Sequence, residues 1–91
     1  MPSVEVTLIG KPECHLCDDA REAVARVVDA LPASGEGVTI VERSILDDRE
    51  LYDAYWEQIP VVLIDGARHT FWRVDPDRLR QALQERMETR I

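Results

Sequence analysis

The sequence predicts a single α/β domain with elements in the order β-α-β-α-β-β-α. Three observations carry this expectation. Apolar residues recur at helical spacing in two long stretches, four short β-rich runs lie between and beside them, and an Asp-Gly pair stands between the last two runs. Val4 to Ile9 is the first strand, ended by Gly10 and by Pro12, which has a fixed φ and no N–H. Leu16, Ala20, Ala23, Val24, Val27, Val28 and Leu31 trace one helical stripe, with Asp18, Asp19, Arg21, Glu22, Arg26 and Asp29 on the opposite face. Pro32 stops that helix, and Pro32 to Gly37 reads as a flexible connection to a second strand, Val38 to Val41.

Asp47 followed by Glu50 has the spacing of a capping box, with Leu46, Leu51, Ala54 and Tyr55 as the apolar side of a short helix that cannot outlast Pro60. Val61 to Ile64 is an unbroken apolar run of strand length. Asp65-Gly66 is suited to a two-residue type I′ turn, which returns the chain as a strand over His69 to Arg73. Asp75 is placed as an N-cap with Pro76 at the first helical position, and Leu79, Ala82, Leu83, Met87 and Ile91 form the buried side of the last helix. There is no internal repeat and no low-complexity tract.

Ninety-one residues are too few for two independent cores, so residues 1–91 are expected to form one domain. Eleven Lys and Arg against eighteen Asp and Glu leave a net charge of −7, which repels a phosphate backbone and excludes nucleic acid as an expected partner. The longest uncharged apolar stretch, Ile59 to Ile64, cannot span a bilayer, so no membrane is expected. The run after Met1 is interrupted by Glu5 and is too short for a secretory apolar region, which makes a cytoplasmic location the expectation. In a reducing compartment a cysteine pair is more often catalytic or metal-binding than structural.

The two cysteines form Cys14-His15-Leu16-Cys17, a spacing that few random placements would give, at the point where a strand hands over to a helix. A helix N-terminus presents unpaired N–H groups and the positive end of the macrodipole, both of which favour a thiolate at Cys14. A protonated His15 adds to that effect, while Glu13, Asp18 and Asp19 oppose it. Cys17, one turn in, is expected to be the more buried sulfur. Three readings of the pair stay open: a redox dithiol, a metal or iron–sulfur site, and inert thiols. Ligand count favours the first, because a structural zinc site wants four ligands and the chain adds only His15 and the distant His69. Haem attachment is excluded, since Asp18 and not His follows Cys17.

With this element order, the Cys-x-x-Cys at the first helix and Ile59-Pro60 before the third strand, the chain resembles the thioredoxin superfamily, and within it the short bacterial glutaredoxin-like proteins. The resemblance covers about Val4 to Met87. It implies a thioredoxin-like, glutaredoxin-type fold with a central four-stranded mixed sheet flanked by helices. It further implies a thiol–disulfide oxidoreductase in which Cys14 attacks and Cys17 resolves, acting on protein disulfides or on mixed disulfides with a small thiol. Pro60 is carried over as the family's cis-proline facing the cysteine pair, with the Ile59 backbone pairing with substrate. Lys11, three residues before Cys14, takes the place of a lysine that meets a glutathione carboxylate, and the N–H groups near Val74 and Asp75 are candidates to hold a second carboxylate. No bound cofactor or metal is implied. Glutathione or another low-molecular-weight thiol is the implied electron donor, and a monomer is the implied state.

The chain departs from the glutaredoxin pattern at two places. His15-Leu16 stands where Pro and an aromatic residue are usual, and Trp72-Arg73 where a Gly-Gly pair is usual. His69, Tyr52, Tyr55, Trp56 and Phe71 read as ordinary core, edge-strand or surface residues, and Trp72 is not placed. The alternatives to an enzyme are a non-catalytic redox sensor or binding module of the same fold, and a metal or iron–sulfur carrier using the same cysteines.

Overall fold

The structure is a computed structural model and describes residues 4–31 and 37–88. Its elements are β1 (Val4–Gly10), α1 (His15–Asp29), β2 (Val38–Ser44), α2 (Arg49–Tyr55), β3 (Val61–Ile64), β4 (Ala67–Phe71) and α3 (Pro76–Glu88). The predicted order is therefore the observed one. The strands form one mixed sheet in the order β2-β1-β3-β4, with β1 and β2 parallel and the other two pairs antiparallel.

Alternation along the strands separates two apolar layers. Val4, Val6 and Leu8 of β1 and Val62 and Ile64 of β3 pack with Ala20, Val24, Val27, Val28, Leu31, Leu79 and Leu83, which form the inward stripes of α1 and α3 and the residue just past α1. Ile9, Val61 and Ile45 make a smaller cluster against Leu51, Tyr55, Ile59 and Leu63. The large layer holds α1 and α3 against the sheet, while the small one attaches α2 by few residues, none of them buried on the helix itself.

Four boundaries differ from the sequence expectation. β2 runs three residues further, to Ser44, because Glu42, Arg43 and Ser44 complete the parallel ladder with Leu8, Ile9 and Gly10 on an edge strand whose polar side chains stay in solvent. The cap of α2 is Asp48 and not Asp47: its carboxylate accepts the N–H groups of Glu50 at 2.9 Å and Leu51 at 3.4 Å. Leu46 and Ala54, expected on the buried side of that helix, are exposed. β4 spans Ala67 to Phe71, because the two-residue turn forces Ala67 opposite Ile64. That turn has φ of 50° at Asp65 and 85° at Gly66, the left-handed pair that type I′ requires. The predicted stop at Pro32, most of the connection that follows it and Ile91 lie outside the described residues.

The turn is also tied down from two sides. Asp65 exchanges hydrogen bonds with the Glu5 backbone at 2.9 and 2.8 Å, and its second carboxylate oxygen accepts from Arg86 of α3 at 3.0 Å. At the other end of α3, Asp75 caps the helix as expected, accepting the N–H groups of Asp77 and Arg78 at 3.1 and 3.2 Å. No helix among the described residues is long and apolar enough to cross a membrane.

Thr70 and His69 lie where β4 slips register against β3. Burial, reinforced by Arg78 and weakly opposed by Asp75, holds the His69 imidazole below its ordinary value, and its Nε2 is enclosed without a hydrogen-bond partner among the described residues. An imidazole that resists protonation only when folded leaves the unfolded state binding more protons. Its stabilising effect is thus complete above about pH 6.5 and fades as pH falls through that value toward the lowered one. Thermal melts between about pH 7 and pH 5 should show falling stability over this window, and His69→Gln should flatten that part of the slope. An unchanged slope in the variant would place the titrating group elsewhere.

Candidate functional site

The turn between β1 and α1 delivers both cysteines. Glu13 takes φ of 59°, a left-handed conformation unfavourable to a non-glycine residue by about 1–2 kcal/mol, and this bend brings the chain into α1 with Cys14 as the N-cap. Nothing in the sequence signalled that bend, since glycine or asparagine would be the usual occupant. Cys14 Sγ accepts the Cys17 N–H at 3.2 Å, so the sulfur itself satisfies one of the free donors of the helix start. The two cysteines are joined as a disulfide with their Cα atoms 5.2 Å apart. Cys14 is partly exposed while Cys17 is 2% exposed, the asymmetry the sequence predicts.

Cys17 is covered by the end of β1. A Cβ on Gly10 would stand 2.8 Å from Cys17 Sγ, so the absence of a side chain at Gly10 is what lets the sulfur pack there. Gly10, Cys17 and Lys11 line a cavity of about 270 Å³ together with Arg21, Glu42 and Asp47. Arg21 bonds both Glu42 of β2 and, at 2.9 Å, Asp18, and those two carboxylates raise its already high pKa, Glu42 more than Asp18. Asp18 is thereby paired, which leaves Glu13 and Asp19 as the exposed carboxylates beside the dithiol.

The remaining predicted site residues divide into two groups. Lys11 is exposed and borders the Cys17 cavity. Val74 lines a second cleft, of about 360 Å³, with Leu16 from between the cysteines and with Ala20, Trp72 and Arg73. The structure thus brings the start of α1 and the segment before α3 to one cleft. The Ile59–Pro60 peptide bond is cis, Pro60 is buried and Ile59 half-buried, and the Pro60 carbonyl accepts the Trp72 N–H at 2.8 Å. Asp75 lies in the segment that follows Val74, but its carboxylate already fills the N–H groups of Asp77 and Arg78. Those two donors are not open to a ligand, and any anion held there would have to use the N–H groups that precede them.

Sequence reasoning left Trp72 unplaced. It sits at φ of 68°, its backbone N–H bonds Pro60 and, at 3.2 Å, Gln58, and its indole Nε1 donates to the Glu57 carbonyl at 2.9 Å. One residue therefore ties the chain before α3 to the chain before β3, and both of these adjoin predicted site residues. A tryptophan in a left-handed position has no sequence signature, because the bend is imposed by partners about fifteen residues away.

A four-stranded mixed sheet with three helices and a Cys-x-x-Cys at the first helix defines a thioredoxin-like fold of the glutaredoxin type. The chain belongs to the glutaredoxin-like domain family (DUF836), whose pattern matches residues 5–84. It is 34% identical to the XcR50 protein of X. campestris, whose X-ray structure superposes with a TM-score of 0.68 over 88% of this chain and 96% of that one. It is 28% identical over 80 residues to Rv0508, an uncharacterized protein of Mycobacterium tuberculosis, covering 88% of this chain and 82% of the other. Chloroplastic thioredoxin z shares the fold alone, at 12% identity and a TM-score of 0.70 over 94% of this chain and 80% of that chain.

Proposed function

We propose that the protein is a thiol–disulfide oxidoreductase that reduces protein disulfides, or mixed disulfides with a low-molecular-weight thiol, through Cys14 and Cys17. The observation that carries this reading is the unequal pair: a partly exposed sulfur at a helix N-terminus bonded to a buried one a turn further in. In the reduced protein the Cys14 thiolate attacks a substrate disulfide, forming a mixed disulfide and releasing one sulfur as a thiolate that takes up a proton. Cys17 loses its proton and attacks Cys14 Sγ, releasing the second substrate thiol. Two electrons have passed to the substrate, and the protein is left as the Cys14–Cys17 disulfide. Two equivalents of glutathione or another small thiol return it to the dithiol, so no bound cofactor is needed.

Lys11, the Ile59 backbone, Pro60, Val74 and the backbone of Asp75 are the substrate contacts of this proposal. The partners are disulfide-bearing proteins or small-thiol mixed disulfides, met by a monomer in the cytoplasm without nucleic acid or membrane. Turnover of insulin and of a small mixed disulfide, with glutathione as donor, tests the reading directly, and absence of both activities would overturn it.

Two measurements bear on the roles of the cysteines. In the reduced protein, alkylation at pH 7 should modify Cys14 well before Cys17, because only the first sulfur reaches solvent. Equal rates would undo the assignment of attacker and resolver. The exposed carboxylates Glu13 and Asp19 oppose the stabilisation that the helix start gives a Cys14 thiolate, so the dithiol should be a reductant. Equilibration against glutathione, read by mass after thiol trapping, should give a potential of about −190 to −270 mV. A value above about −150 mV would mean a protein built to oxidise its partners.

A further inference from the structure

The core of this protein contains no fully buried aromatic ring. Its buried side chains are Val, Leu, Ile and Ala with Cys17, while Tyr52, Trp56, Phe71 and Trp72 are 42, 52, 40 and 55% exposed. Tyr55, the fifth and last aromatic residue of the chain, is half-buried. A domain this small has every reason to bury its largest apolar groups, since each is worth about 1.5–3 kcal/mol when taken from water. Leaving four of them on the surface is the composition of a contact patch, where Trp and Tyr supply most of the binding energy.

The four rings are not scattered. Tyr52 and Trp56 stack on α2 at 6.2 Å, and Phe71 and Trp72 meet edge to face at 4.9 Å. The two pairs are linked by the Trp72 indole, which donates to the carbonyl of Glu57, the neighbour of Trp56. Trp72 also shares a cleft with Leu16, itself exposed and lying between the two cysteines. An apolar strip thus runs from the dithiol to α2.

Its far end is acidic. Glu50 and Asp53 of α2 and Glu57 just beyond it are exposed, and their spacing of three and four aligns them in one stripe beside Tyr52 and Trp56. Arg49 is the one cation of that helix, and it pairs with Asp53 at 3.8 Å. Aromatic faces next to carboxylates select Lys and Arg side chains, through the ring quadrupole and through charge. The strip already shows this chemistry internally, with the Arg68 guanidinium 5.4 Å from the centre of the Phe71 ring.

We propose that this strip docks the protein substrate, taking a segment whose disulfide reaches Cys14 while Lys or Arg residues on it lie over Tyr52 and Trp56. The inference rests on the oxidoreductase reading and narrows its substrate class to disulfides in a basic polypeptide context. The electron balance is that of the reduction already described.

Two peptides test it, identical except that residues flanking a single cysteine are Lys in one and Glu in the other, each cysteine capped by a chromogenic aromatic thiol as a mixed disulfide. The reduced protein should release the chromophore from the Lys peptide about tenfold faster or more at low salt, and about 0.5 M salt should remove most of that difference. Trp56→Ala, and separately Glu50→Gln with Asp53→Asn, should shrink the Lys-to-Glu rate ratio several-fold. Equal rates for the two peptides, or a ratio untouched by these variants, would overturn the proposal while leaving oxidoreductase turnover intact. Concentration-dependent dimerisation that Trp56→Ala abolishes would also overturn it, by giving the strip to a second copy of the chain. If no disulfide is turned over, the same peptides with Ser in place of Cys are titrated by tryptophan fluorescence. A response to the Lys peptide and none to the Glu peptide sustains the surface, and no response to either overturns it.

Discussion

Cys14→Ser is expected to abolish disulfide reduction, by a factor on the order of 10³ or more, because a serine hydroxyl is not ionised at neutral pH and cannot form the mixed disulfide. The same substitution at Cys17 should behave differently. Cys17 is 2% exposed beneath Gly10 and takes part only after Cys14 has been captured, so Cys17→Ser should leave the first step intact and stall the second. Mass spectrometry of the Cys17→Ser protein after exposure to an oxidised substrate should show one covalent adduct per chain on Cys14. Slow turnover of a mixed disulfide with a small thiol should survive, since excess donor thiol can resolve the adduct from solution. Retained activity in Cys14→Ser, or an adduct on Cys17 in the converse variant, would reverse the roles of the two sulfurs.

Leu83→Ala is expected to lower stability by about 2–5 kcal/mol, a large share of the 5–15 kcal/mol that holds a domain of this size folded. Leu83 is fully buried in the layer where α1 and α3 meet β1 and β3, and no neighbouring chain end is free to collapse into the space it would leave. The melting temperature should fall by roughly 10–30 °C. Because the dithiol hangs from the opposite end of α1, the rate at which Cys14 is alkylated well below the melting point should change little. A Leu83→Ala protein that melts normally would mean that α3 contributes little to the core, against its two fully buried leucines.

The sequence by itself determined what neighbouring residues encode. Periodicity placed α1 and α3, Asp65-Gly66 set the hairpin, Asp75 with Pro76 opened α3, and the Cys-x-x-Cys at a strand-to-helix junction located the dithiol and predicted which sulfur would be buried. Each of these signals operates within about one helical turn or one β-turn, where the physics is local hydrogen bonding and side-chain alternation. Only the tertiary structure decided the rest. Whether Glu42, Arg43 and Ser44 are strand depends on β1, more than thirty residues earlier, offering them a ladder. Whether Asp47 or Asp48 caps α2 is a matter of a single residue that composition cannot separate. The left-handed bends at Glu13 and Trp72 are held by partners outside their own segments, and the exposure of the aromatic rings follows from an aliphatic core that fills without them. Hydrophobicity makes burial favourable for every apolar side chain, but which ones are buried depends on which faces of the folded chain find a partner.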